Sequence, residues 1–378
     1  LHILGPFMQY FKPTLALAAL TCLALPSHAQ FGSLLNAITG GSNAPKAEQA
    51  AQAAQGTPSI AQATPEQIEA ALAAPVAPLE AAVPVKGSAT LKGKRFYIAE
   101  YRVLFEMGGS VSANTRAAYF GGTDYGSTNV RVNYLVPTPD VKLLQAITDK
   151  AYADFLARLE AAGVKPEPAE AFVKENGAVY EATAEASKPG AEVYEDVELG
   201  YGKRKYLVMA PTGTRLVPRG FAGIGAGNIG KRIDFSKANL EGVSVGMVVN
   251  LAAQESSGGG SSMFKRGSSA NASAAMEVAM APKQLGVMQT HALTQVVSLG
   301  GPLPVPGQFA NLRETGGYDT QKDTAVKALQ IFGAVTMGLG ASTSKRVDMA
   351  LDVDNAALAR HALQGMAAVN QAVAGAIQ

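Results

Sequence analysis

Between Asn239 and Gly300 the chain writes the same device twice, and that device limits what it can fold into. In Val243-Ser-Val-Gly-Met-Val-Val-Asn-Leu251 the large apolar residues fall on every second position. A strand sends such residues to one face and leaves Ser244, Gly246 and Asn250 on the other. The run Asn271–Ala281 repeats the pattern with Met276, Val278 and Met280, and Pro282, which has no N–H for a ladder, is expected to end it. The polar segment Glu255–Ser269 between them is too long for a two-residue turn and reads as an extended hairpin tip. Gly286–Val297 supplies a third strand. The stripe Val245, Met247, Val249, Met276, Val278 and Met280 is therefore the candidate membrane- or partner-facing surface of a hairpin.

The rest of the chain supplies a sheet and helices to go with it. Lys94–Phe105 reads as the first strand of the domain, and Ser110–Phe120 with Asn129–Val136 as a second Gly-tipped hairpin. Thr138 as N-cap, Pro139 at the first helical position and Gly163 at the end bracket a helix. Its stripe Leu143, Ile147, Ala151, Phe155 and Leu159 repeats every four residues, as a helix packed on a sheet requires. A short helix over Ala169–Glu175 and strands near 178–184, 193–199 and 205–210 follow. Arg346–Val353 reads as a strand, and a helix opening at Asp354 carries Leu358, Ala362, Met366, Val369, Val373 and Ile377 on one face. The expected fold is α/β, of the α+β kind: a mixed, largely antiparallel sheet with amphipathic helices and two long Gly-tipped hairpins.

The N-terminal region reads differently. Lys12, the apolar run Leu15–Leu25 and the small-x-small site Ser27-His-Ala29 make residues 1–29 a secretory signal peptide, and Met8 suggests that residues 1–7 are an over-extended gene start. An exported protein, of the periplasm or outer membrane, is expected. The single cysteine, Cys22, lies inside that signal, so a thiol-based or disulfide chemistry has no residue to use after cleavage at Ala29. Acylation of Cys22 is the competing expectation. Residues 30–93, rich in Ala, Pro and Gln, read as a disordered linker, with one short helix after Thr64, which forms a capping box with Gln67. Residues 94–378 form the envelope domain.

Several chemistries are tested and set aside. Gly223-Ile-Gly-Ala-Gly-Asn-Ile-Gly230-Lys231 has phosphate-loop spacing, but Arg232 stands where a magnesium-binding Ser or Thr belongs and Pro218 interrupts any feeding strand. Only His291 and His361 follow the signal, and with no cysteine beside them a His/Cys zinc site has too few ligands. No G-x-S-x-G elbow at a strand-to-helix turn is expected, since that spacing occurs at Gly242-Val-Ser244-Val-Gly246, inside the alternating strand run. The formal net charge of +2 comes without a basic block, which argues against nucleic acid. No cofactor, metal or catalytic residue is expected.

A strand over Arg95–Phe105, the helix Ile147-Thr-Asp-Lys-Ala-Tyr-Ala-Asp-Phe-Leu-Ala-Arg-Leu-Glu-Ala-Ala-Gly163, a late hairpin of alternating strands and a closing Ala-rich helix together resemble the curli-assembly outer-membrane channel family. The resemblance covers about Lys94–Gln378. It implies a non-catalytic, homo-oligomeric envelope protein whose hairpins, at 110–136 and 243–281, join a ring-wide barrel through which a secreted protein cargo leaves. Tyr119, Phe120, Tyr125 and Tyr134 would then contribute to an aromatic girdle. Two readings of other classes stay open: a secreted hydrolase with an unrecognised triad, and a soluble periplasmic binding module.

Overall fold

All described residues belong to one compact unit within Ala51–Gln378. The computed structural model describes residues 60–81, 83–115, 119–120, 123–124, 128–181, 184–185, 194–199, 202–216, 235, 239–258, 268–288, 293–319 and 343–377. The signal-peptide region, the Gly223–Gly230 loop, the tip of the late hairpin and His291 lie outside them.

In chain order the elements are α1 (Pro65–Ala73), β1 (Val85–Lys86), β2 (Phe96–Thr115), β3 (Tyr119–Phe120), β4 (Thr123–Asp124), β5 (Thr128–Leu135), α2 (Val141–Ala161), α3 (Ala169–Glu181), β6 (Ala184–Glu185), β7 (Tyr194–Leu199), β8 (Gly202–Met209) and β9 (Arg215–Leu216). They continue with β10 (Glu241–Gly258), β11 (Ser268–Met288), β12 (Leu293–Leu299), β13 (Leu303–Val305), β14 (Ala310–Asp319), β15 (Thr343–Val353) and α4 (Asn355–Gly375). The fold is α/β. One mixed sheet runs β1-β12-β11-β10-β2-β5-β15-β14, with β13 on β11 and the β7–β8 ladder on β2. Only β10–β2 and β15–β5 are parallel among its pairs; the rest are antiparallel.

Those two parallel pairings fix the direction of every long hairpin. Thr128 stands opposite both Thr115 and Thr343, so the paired strand ends of the β2–β5 and β14–β15 hairpins lie at one end of the sheet. Since β10 runs parallel to β2, its pairing with β11 runs toward the same end, as far as Gly258 and Ser268. Helices α2 and α4 leave after Leu135 and Val353, near the level of Gly108 midway along β2. Asp140 accepts from Leu143 N at 3.0 Å and Asp354 from Ala356 N at 2.9 Å, so each carboxylate meets an orphan donor at the start of its helix. The cap of α2 is thus Asp140 rather than the expected Thr138.

The helix layer covers one face of the sheet. Phe155, Ile147 and Leu159 of α2 and Met366, Val369 and Ala362 of α4 share a core with Phe96, Val103, Phe105, Val245, Met247 and Val249. Strand β2 keeps large residues on that face along its length by means of a bulge. Its ladder with β10 slips between Val243 and Ser244, opposite Ile98 and Glu100, so Phe96 and Ile98 before it and Tyr101, Val103 and Phe105 after it all reach the core. The helices approach closely where α4 carries Gly365: a Cβ there would lie 2.6 Å from Val278 Cγ2 and 2.7 Å from Val305 Cγ2. Between the helices, Asn370 donates to Ala151 O at 2.9 Å and Asp154 Oδ2 at 3.0 Å, and Arg158 donates to Asp154 at 2.8 Å.

Four expectations are corrected. Residues 60–91 are not a free linker: α1 lies against α4, Lys150 Nζ caps the carbonyls of Leu72 and Ala74, β1 pairs with β12, and Ala89 and Leu91 are buried. Ile68, Leu72, Val76, Leu79 and Val83 pack on the core and supply the apolar area that the Ala/Pro composition hides. The capping box of Thr64 and Gln67 is present as read. Pro282 does not end β11. The ladder jumps from Val245–Leu285 to Met247–Met280, which leaves residues 281–284 outside the regular pairing, where a missing N–H costs nothing. Lys94–Phe105 and Ser110–Phe120 are not separate: β2 runs through Gly108-Gly109 as one strand. Helix α3 extends to Glu181 across a kink at Asn176, where a strand was expected from Ala178; Phe172 stacks on Tyr97 at 4.8 Å and meets Tyr180 at 6.3 Å.

Candidate functional site: the hairpin junction

Strand β2 has two partners in succession on one edge. It pairs with β10 as far as Phe105–Val249 and with β5 from Gly108, while β8 holds the other edge from Val103 to Val111. At Glu106 and Met107 the sheet therefore forks, and β10 leaves with no ladder partner on that side among the described residues. Its backbone still needs acceptors and donors. Side chains provide them. Glu106, 1% exposed, accepts from Leu251 N at 2.6 Å and Ala252 N at 3.1 Å, and Arg204 Nη1 donates to Ala252 O at 2.9 Å.

The same carboxylate gathers the other arms of the fork. Arg204 of β8 donates to Glu106 Oε2 at 2.7 Å, and the Tyr134 hydroxyl of β5 donates to Glu106 Oε1. Gln254 Nε2, beyond the fork on β10, donates to the Tyr134 hydroxyl at 2.6 Å. Tyr134 reaches this position by lying across Gly109, where a Cβ would stand 2.6 Å from its hydroxyl oxygen. A second bond ties β8 to β10: Tyr206 donates to Asn250 Oδ1 at 2.9 Å. Burial pushes the Glu106 carboxyl upward from its ordinary range, and Arg204, Tyr134 and the two backbone N–H groups oppose that push. All four neighbours donate, so the site is built for the ionised form. Burial likewise raises Tyr134 and Tyr206 well above the usual phenol range, which keeps both hydroxyls as donors.

The six stripe residues are placed elsewhere. Val245, Met247, Val249, Met276 and Val278 are buried in the chain's own core beneath the helix layer, and Met280 is half-buried against it. For those five the expected lipid- or partner-facing role is corrected to a core role, because α4 occupies the face they present. Tyr134 is likewise buried in the fork and not part of an exposed girdle. Of their polar neighbours, Ser244 donates to Glu100 Oε2 at 2.6 Å and Asn250 takes the Tyr206 bond, both buried. His361 lies in α4 against Gly307. Sequence reasoning missed Glu106, Arg204, Tyr134 and Gln254 as a group. One signal was available: Glu106 interrupts an apolar strand directly before Gly108-Gly109, and a charge there needs partners.

The hairpin changes character beyond the fork. A slip in the β10–β11 ladder between Asn250 and Ala252 turns the chain so that Leu251 and Ala252 both point inward. From there the inner face is Ala252, Gln254, Ala270, Ala272 and Ala274, and the exposed outer face carries Glu255, Asn271 and Ser273. Strand β11 comes within 8 Å of β5 and β14, Cα to Cα, closer than the roughly 10 Å usual for stacked sheets. Beside the fork, at the starts of α2 and α4, a cleft of about 170 Å³ is lined by Met107, Thr138, Asp140, Leu251, Asp352 and Asn355, among others. Among the described residues no group of three or more His, Cys, Asp or Glu is placed to hold a metal ion. No described helix is long and apolar enough to cross a membrane, a statement that does not extend to strands. No family model, curated protein or solved structure matches the chain.

Proposed function

We propose that this is a non-catalytic cell-envelope protein, similar to curli-type secretion channels, which assembles with further copies of itself and assists the export or assembly of surface material. The observation that carries the reading is directional: three hairpins have their paired strand ends at one end of the sheet, while both long helices start level with Gly108, midway along β2, and α2 runs on toward Phe96 at the other. Such a body offers strand ends on one side and a helix-covered platform on the other. Strands β2, β10 and β11, of 20, 18 and 21 residues, are each far longer than an ordinary strand. At about 3.3 Å per residue they span on the order of 60–70 Å, about twice the length of a 21-residue helix. Secretion by the signal-peptide route and a place in the periplasm or outer membrane belong to the same proposal.

A second reading has its own support. The apolar stripe of the late hairpin is spent on the chain's own core, and the small-residue half beyond it has no wide apolar band, as suits a soluble periplasmic module. Cell fractionation followed by sizing of the detergent extract separates the two. A ring-sized species in the outer-membrane fraction supports the channel reading, and a monomer released with the periplasm replaces it with the soluble module.

A further inference from the structure

We infer that Glu106, Arg204, Tyr134 and Gln254 form a latch that holds the distal half of the β10–β11 hairpin, residues 252–258 and 268–274, closed over the β2–β5 hairpin, and that this half swings open about the ladder slip at Leu251 when the latch is broken. Three observations converge. The distal half has lost β2 as a partner, so its backbone is tied to the body through side chains, at Leu251 and Ala252. Its inner face is nearly all alanine, which buries little apolar area and so holds weakly by packing. Its one long inner side chain, Gln254, is spent on the latch tyrosine. The proximal half, with Val245, Met247, Val249, Met276 and Val278 under α4, is held by the core and does not share this weakness. A segment with few large apolar side chains, tied to the body by polar contacts such as these, sits at the low-stability end of a fold and opens locally.

What the open half then meets rests on the proposed function, which makes it a second copy of this chain. The test keeps the two ideas apart. In the full chain with Cys22→Ser, single cysteines replace Ala272 on the closed inner face, Ser273 on the outer face and Val278 in the core. Thiol labelling is timed with the latch intact and with Gln254→Ala, Tyr134→Phe or Glu106→Gln. The latch predicts slow labelling at 272 that accelerates about tenfold on loss of one network hydrogen bond. It also predicts fast labelling at 273 and slow labelling at 278 throughout. The mildest variant, Gln254→Ala, removes no buried charge and carries the test if Glu106→Gln fails to fold. Labelling at 272 as fast as at 273 before any latch substitution, unchanged labelling at 272 in both milder variants, or equal acceleration at 272 and 278, each overturns the latch. Sedimentation of the same variants in detergent reads assembly separately. Faster labelling at 272 without larger species leaves the latch standing and removes the assembly reading.

Discussion

The two halves of the β10–β11 hairpin share one ladder and are held by different forces. Below the fork, Val245, Met247, Val249, Met276 and Val278 fill a helix-covered core and β2 supplies a second ladder. Above it, alanines line the inner face, the second ladder is gone, and Glu106 with Arg204 stands in for it. The contrast teaches that a continuous strand is not a continuous unit of stability. Apolar burial is non-directional and scales with area, so it anchors the proximal half firmly; the polar contacts that hold the distal half contribute modestly when made and cost heavily when one partner is removed.

The largest expected effect breaks the proximal half. Val278→Arg would place a charge against Val305 and the backbone of Gly365 with no buried partner, at a cost of about 3–5 kcal/mol. Denaturant titration should find the cooperative transition lost or moved far toward water. An unshifted midpoint would mean that this half is not core. Met247→Ala comes next, at about 2–5 kcal/mol for a fully buried methionine, whereas Ala272→Gly in the distal half should cost no more than about 1 kcal/mol. Comparable shifts for the two would erase the contrast.

Tyr134→Phe touches the boundary between the halves. It leaves Glu106 short of one donor and Gln254 Nε2 with only the distant Lys203 carbonyl at 3.4 Å, at about 1–2 kcal/mol in equilibrium stability. The smallest effect is a pH dependence confined to the helix above the proximal half. Burial first, then Arg360, lowers the pKa of His361 from 6.5. The folded state therefore binds fewer protons than the unfolded one just below pH 6.5, and the contribution of His361 is present above that pH and lost as the pH falls toward its folded-state value. Thermal melts of the native chain between pH 7 and pH 5 should show more loss than those of His361→Gln. Equal slopes would assign the acid sensitivity to other groups.

Much of the body was legible. The alternation over 243–251 and the four-residue stripe of α2 each name a face, because an element with one apolar face has to bury it. The Thr64–Gln67 capping box and Asp354 as N-cap were readable because a cap is a contact between near neighbours in sequence. Strand β14 went unseen: Arg313–Tyr318 is exposed on both sides, Gly316-Gly317 breaks the pattern, and its evidence as a strand is its ladder with β15. The docking of residues 60–91 was hidden for a related reason, since prolines and alanines dilute apolar residues that act only when α4 and β12 are at hand.

The sequence by itself determined the long amphipathic elements and which face of each is apolar, since propensity, period and capping act over a few residues. It did not say what covers each face. Whether the stripe from Val245 to Met280 meets lipid, a partner or a helix is a question of tertiary arrangement, and α4, some 80 residues further on, supplied the answer for five of its six members. The junction was still less accessible. Glu106, Tyr134, Arg204 and Gln254 come from four strands spread over about 150 residues, and their meaning arises where β2 exchanges β10 for β5. A buried charge is tolerable only where donors converge on it, and that convergence belongs to the folded chain.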